Sequence, residues 1–245
     1  MISDRIRRWR ESILSFLGLQ RQRSPRIQVV AIHDAMFFPE GIGEVVSLGN
    51  VSTGGMGVLK TSRQTWPEPG HTLKGRLKIG KFEVETRCRV VHVSEQYVGC
   101  QFETNLASIE SVVASFFRVE LAAMKLIEVN PDVLAKSEEG EVTWYRGANN
   151  CDLFLVEVGG KIEKFHFTFF GNYFQGGRDQ DLKSGSLLDD EHPGKPHYKG
   201  AAVITDLRSP SAEMLKLARR YVGAVRNLDN PRREALLGHI TRAGG

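Results

Sequence analysis

Between Arg26 and Phe102 the chain falls into six short runs rich in β-branched and apolar residues: IQVVAIH, GEVVSLGN, GMGVLKT, LKGRLKI, FEVETRCRVVHVS and YVGCQFE. Gly, Pro and Ser clusters separate them. No other feature constrains the fold as tightly. Strands this short and this closely spaced pair with near neighbours in the chain, and a small antiparallel barrel or sandwich is the architecture that satisfies them. Gly80-Lys81, between Ile79 and Phe82, fits a tight hairpin, with its turn type left unassigned. After Asn105, apolar residues recur at three-and-four spacing (Ile109, Val112, Val113, Phe116, Phe117, Leu121, Met124), which predicts one long helix to Leu126 packed on the strands.

Pro131 ends or bends that helix, and the polar stretch Ser137 to Glu141 marks a break. A length of 245 residues leaves room for a second domain. VTWYR, CDLFLVEV and KIEKFHFTFFGNYF are strand-like, and Gly159-Gly160 joins the last two as a hairpin. Phe165, Phe167 and Phe169 fall on one face of the third run, with His166 and Thr168 on the other. Residues 175–199 have loop composition. GAAVITDL predicts a further strand, and two helices follow, capped by Ser209 before Pro210 and by Asn230 before Pro231. Strands followed by helices indicate an α+β unit. The organisation expected is therefore a basic amphipathic helix over 1–20, a barrel with its C-terminal helix over 21–127, and an α+β domain over 128–245.

Charge is concentrated at one end. Residues 1–26 hold seven arginines against Asp4 and Glu11, whereas the whole chain has a net charge of only +4. An anion would be drawn to this segment. Residues 4–19 place Ile6, Trp9, Ile13, Phe16 and Leu17 near one helix face, a stripe suited to docking on the protein or a partner, or to an anionic membrane surface. Three widely spaced cysteines disfavour a disulfide scaffold and a zinc site. With no apolar run long enough to span a bilayer and no cleavage site after residues 13–19, the expected location is cytoplasmic, with peripheral contact at the inner membrane as an added placement. His192 and His197, near Asp189 to Glu191, fit a solvated loop better than a metal site, and no metal is expected. No catalytic triad order, acid pair or phosphate-cradling loop is present, so the expectation is a binding protein, not an enzyme.

Two segments carry chemistry. In LGNVSTGGMGV, residues 48–58, Asn50 and Ser52 stand two apart, so on an extended strand both side chains face one side, and each donates and accepts hydrogen bonds. Glycines at 54, 55 and 57 let a planar or phosphorylated ligand approach the backbone, although an ordinary glycine-rich turn fits the same segment. Upstream, Arg21-Gln22-Arg23-Ser24-Pro25-Arg26 leads into the first strand with guanidinium groups suited to guanine edges or phosphates.

Together these segments resemble the PilZ domain family of bacterial cyclic di-GMP receptors. Its hallmarks are an R-x-x-x-R loop before the first strand and a [D/N]-x-S-x-x-G motif on the barrel. The second is complete as Asn50-Val51-Ser52-Thr53-Gly54-Gly55. In the first, Gln22 stands where the leading arginine is expected, flanked by Arg21 and Arg23, with Arg26 at the second position. The later strands and the helix after Asn105 also resemble the family, over about residues 20 to 120.

The resemblance implies a six-stranded antiparallel PilZ-type β-barrel with flanking helices; with the smaller α+β domain read from the later strands and helices, for which no family is recognised, the fold expected is mainly β plus α+β. The resemblance implies cyclic di-GMP as ligand, bound by Arg21, Arg23, Arg26, Asn50, Ser52, Gly54 and Gly55, in second-messenger signalling. Arg26 with Arg21 or Arg23 would hold guanine edges and phosphates, Asn50 and Ser52 a guanine base, and Gly55 would admit the ligand to the backbone. The output would pass to an unidentified protein partner through the N-terminal helix or the C-terminal domain, with no DNA or RNA involved. Gln22 leaves an alternative: a degenerate PilZ adaptor that binds no nucleotide and works by protein contacts in motility or surface-attachment machinery.

Overall fold

The computed structural model describes residues 24–29, 33–60, 65–134, 138–188 and 203–244. The predicted N-terminal helix, Arg21, Gln22, Arg23, His192 and His197 lie outside the described residues.

Seven antiparallel strands form the first sheet: β1 (Ile27–Gln28), β2 (Ala35–Pro39), β3 (Val46–Ser52), β4 (Gly55–Leu59), β5 (Thr72–Ile79), β6 (Phe82–Val93) and β7 (Tyr97–Phe102). Six of them close a ring in the order β3-β2-β5-β6-β7-β4, with β4 returning to β3. β1 pairs with the far end of β3, Ile27 opposite Val51. Closure removes the free edges that strands this short would expose. Alternate residues point inward, and Phe37, Leu48, Val51, Val58, Leu77, Ile79, Cys88, Val90 and Val98 are fully enclosed. The β5–β6 turn is Gly80-Lys81, with positive φ at Gly80 alone (56°), as a type II′ hairpin requires.

Two expectations are corrected here. β2 was not among the six predicted runs, because it is short and ends at Pro39. The proline falls at the strand terminus, where its missing N–H costs the ladder least. Among its described residues, IQVVAIH contributes the two residues of β1. The predicted single helix is also broken, into α1 (Leu106–Phe116) and α2 (Arg118–Ala123), with Phe117 off helical geometry between them. The whole apolar stripe packs on the barrel core, with Ile109, Val113 and Phe117 buried in it and Leu121 and Met124 against it, whereas a different set, Val119, Ala123 and then Leu126, enters the second core.

The second sheet is an antiparallel meander in chain order: β8 (Ile127–Glu128), β9 (Glu141–Arg146), β10 (Asp152–Val158), β11 (Lys161–Phe169), β12 (Asn172–Gly177), β13 (Gln180–Leu188) and β14 (Val203–Arg208). Helices α3 (Ala212–Ala224) and α4 (Asn230–Arg242) cover one face. Gly159 and Gly160, both at positive φ, turn β10 into β11 as a type I′ hairpin. Phe165, Phe167 and Phe169 are buried on the helix side, where Phe169 stacks on Tyr221 at 4.7 Å between ring centroids, while His166 on the opposite face stacks on Phe154 at 4.8 Å.

Three further sequence expectations change. KIEKFHFTFFGNYF is two strands, turned at Phe170-Gly171. Phe170 takes a left-handed backbone there (φ 49°), under the Arg118 guanidinium 5.1 Å from its ring. Much of the expected loop at 175–199 is strand: β12 runs to Gly177 and β13 spans Gln180–Leu188, with Leu182 and Ser184 buried. The caps are Ser211 and Asp229, whose side chains accept from the backbone N–H of Met214 and Arg232, displacing Ser209 and Asn230 by one or two positions.

The two sheets meet at a buried charge. Glu120 of α2, only 2% exposed, accepts from His33 Nε2 (2.7 Å) and from Arg220 of α3 through Nε and Nη2, the latter at 2.9 Å. Arg220 also donates to the Phe116 carbonyl. Burial works to raise the Glu120 pKa, but the hydrogen bonds from His33 and Arg220 and the Arg220 charge outweigh it and hold the carboxyl below the ordinary value. A depressed carboxylate stabilises the fold above its unfolded pKa, and that contribution disappears as pH falls through the folded value.

Glu120→Gln is therefore expected to cost about 3–5 kcal/mol at neutral pH, by leaving Arg220 buried without its counter-charge. Below pH ~4.5 the wild type should approach the variant. Urea unfolding at stepped pH measures this; a stability gap that does not narrow in acid would contradict it.

Candidate functional site

Strand β3 does not keep a simple period of two. Val46 and Leu48 point inward, so unbroken alternation would send Asn50 into the core. The pairing with β4 instead shifts register between Leu48 and Asn50, and this bulge at Gly49 reverses the phase. Val51 becomes the core residue, while Asn50, half-buried, and Ser52, buried beneath the turn, fall on the opposite face from it. Gly49 is required because a Cβ there would run into the Tyr97 ring, which lies across it from β7. Its carbonyl accepts from Val29 N–H (2.9 Å), extending the seam between the lead-in and β3.

The β3–β4 turn is fastened to the arginine-bearing lead-in. Thr53 Oγ1 donates to Ser24 Oγ (2.8 Å), and Ser52 Oγ donates to the Gly55 carbonyl (3.2 Å). Arg26, one residue before β1, is exposed beside them. The result is an open groove of about 690 Å³, within the range that small ligands occupy. Ser24, Arg26, Asn50, Ser52, Gly54 and Gly55 line one side and His92, Tyr97 and Gln101 line the other. No acidic side chain lines it among the described residues. Such a surface offers hydrogen-bond donors and, among the described residues, one fixed positive charge, which suits an anionic or guanine-like ligand.

Of the residues singled out from the sequence, the structure brings Arg26, Asn50, Ser52, Gly54 and Gly55 to one groove; Arg21 and Arg23 lie outside the described residues. The glycines differ in what they permit. Gly54 has open space where a Cβ would stand. At Gly55 a Cβ would strike the Cys100 carbonyl of β7, and at Gly57 it would strike the Asn50 carboxamide, which lies over it. Gly55 thus lets β4 and β7 approach, whatever else it admits. The far wall was missed: a second bulge, between Val90 and His92, turns His92 outward, and no local sequence signal marks it. Among the described residues no group of three or more His, Cys, Asp or Glu could hold a metal ion, and no helix is long and apolar enough to cross a membrane.

Replacing Gly55 by alanine should cost on the order of 1–3 kcal/mol because the clash is with backbone that cannot turn aside. The same change at Gly54 should stay within about 0.5 kcal/mol. Thermal unfolding of the two variants distinguishes them; equal effects would contradict the assignment.

Residues 20–118 match the family model described as PilZ domain. No curated protein matches the chain. Among solved structures, an uncharacterized Legionella protein, Lpg0364, is similar at 16% identity and a TM-score of 0.31, over 37% of this chain and 91% of that one. The MrkH–c-di-GMP complex of K. pneumonia is similar at 22% identity and a TM-score of 0.34, over 40% of this chain and 53% of that one. The PilZ domain of CeSA from a cellulose synthesizing bacterium is similar at 18% identity and a TM-score of 0.30, over 40% of this chain and 99% of that one.

Proposed function

We propose that the barrel binds cyclic di-GMP in the groove between Arg26 and the Asn50/Ser52 pair, and that the chain is a bacterial signalling protein that relays ligand occupancy without catalysing a reaction. The PilZ match over residues 20–118 supports the ligand class. The observation that carries the reading is that a guanidinium and the polar side chains of Asn50 and Ser52 line one groove free of carboxylates among the described residues. Guanine presents O6 and N7 to an arginine fork, and a phosphodiester attracts the same charge. Asn50 can donate to and accept from a second edge of the base, and the Ser52 hydroxyl, whose proton goes to the Gly55 carbonyl, can accept from it.

In this reading Arg21 or Arg23 supplies the second guanidinium, since Gln22 keeps hydrogen bonding but not charge. The arginine segment connects residues 1–20 to β1, so a ligand that orders the segment also repositions what precedes it, and this is the proposed output. The partner is a protein that engages the N-terminal helix or residues 128–245. Gln22 also favours the second reading, an adaptor with an empty barrel that acts through protein contacts.

Calorimetry with cyclic di-GMP decides between them. Saturable binding, weakened about tenfold or more in both Arg26→Ala and Ser52→Ala, is expected of the receptor, because a hydrogen bond to a charged group contributes about 1.5–3 kcal/mol. No heat at roughly tens of micromolar ligand, an affinity weaker than about −7 kcal/mol, would leave the adaptor. Trypsin cleavage within residues 5–26 should slow when ligand is added; unchanged cleavage would remove the proposed output.

A further inference from the structure

A second cavity, of about 360 Å³, lies where the barrel, α2, α3 and α4 meet. Five arginines line it: Arg26, Arg219, Arg220, Arg226 and Arg233. The only carboxylate among its described lining residues is Glu120, which His33 and Arg220 already engage. Arginines gathered in a partly enclosed space repel one another and lose water, a cost that a bound anion relieves. Two of them, Arg219 and Arg233, have a buried Nε–H with no partner among the described residues. Arg233 otherwise donates to the carbonyls of Val225 (2.6 Å) and Leu228 (2.7 Å), so the negative end of α3 is masked where it borders the cavity. Arg226 is exposed, and Arg26 is the only described residue that lines both this cavity and the barrel groove.

We propose that this cavity binds a phosphate group between the barrel and the C-terminal helices. Phosphate fits the lining because its several acceptor oxygens match forked N–H donors, and its charge offsets the unpaired guanidinium groups. The phosphate comes from one of two sources: a free anion of the pyrophosphate kind, or a phosphodiester of the molecule in the groove, reached through Arg26. Only the second source rests on the reading given under Proposed function. In either case the bound group bridges Arg26 of the barrel segment to arginines of α3 and α4, so occupancy couples the two halves of the chain.

The test uses the full chain in calorimetric titrations with pyrophosphate and, separately, with cyclic di-GMP, on the wild type, Arg219→Gln, Arg226→Gln and Ser52→Ala. A free-anion site gives saturable pyrophosphate binding that weakens about tenfold in the two arginine variants and is unchanged in Ser52→Ala. This result supports the proposal even if cyclic di-GMP does not bind. No heat with pyrophosphate, but cyclic di-GMP binding weakened by the arginine variants as well as by Ser52→Ala, assigns the phosphate to the groove ligand. Arg226 is exposed, so Arg226→Gln keeps the test valid should Arg219→Gln fail to fold. Pyrophosphate binding equally to all four proteins, cyclic di-GMP binding indifferent to both arginine variants without pyrophosphate binding, or no heat with either compound, would overturn the proposal.

Discussion

A carboxylate that cannot reach water must find hydrogen-bond donors, and in this chain Glu120 finds them on both sides of the joint. His33 approaches from the barrel, Arg220 from α3, and the acid itself stands on the short helix between the two cores. Apolar surfaces can slide past one another at little cost, whereas hydrogen bonds to a buried charge are directional and lose several kcal/mol when one partner leaves. The interaction therefore sets the relative placement of the two sheets. It also explains why the neighbouring cavity is so basic. Among the described lining residues the one acid is already engaged by its own partners, and the remaining guanidinium groups face the space without it.

The barrel groove rests on a different constraint, the phase of one strand. Asn50 and Ser52 share a side because Gly49 takes up an extra position opposite β4, and Gly49 is tolerated because Tyr97 fills the space a side chain would occupy. Ser24 and Thr53 then tie the arginine-bearing segment to the same turn. Polar specificity here comes from backbone irregularity at a few positions of an otherwise regular barrel.

What was legible in the sequence follows from the range of the interactions involved. The alternation of β5 to β7, the Gly80-Lys81 and Gly159-Gly160 turns and the one-sided phenylalanines of β11 are local, and they were visible. So was the Asn50-x-Ser52 pair, although plain alternation was not the full reason that the two side chains emerge together. Strand β13 was hidden because Ser184, Gly185 and Ser186 have loop composition, yet Ser184 is buried and Gly185 faces the Thr205 carbonyl, where a side chain would not fit. The break at Phe117 was hidden because the apolar stripe runs straight through it, with Leu121 and Met124 still packing on the barrel core beyond the break. His92 on β6 and Tyr97 and Gln101 on β7 reach the groove because β7 pairs with both β4 and β6, about 40 residues from the motif they face. No window of local sequence contains that contact. The arginine cavity was the least visible feature, since its members come from the lead-in and from two helices some 200 residues later.

The bulge at Gly49 has a consequence for how such a site can be transferred. The Asn-x-Ser pattern is not portable by itself: grafted onto an unbulged strand in the register of Val46 and Leu48, it would bury both polar groups and expose the valine between them. A designer copying this surface would have to move the glycine, the aromatic lid supplied by Tyr97 and the register slip as a single unit, because the identity of the recognising side chains and the irregularity that aims them are one inherited feature.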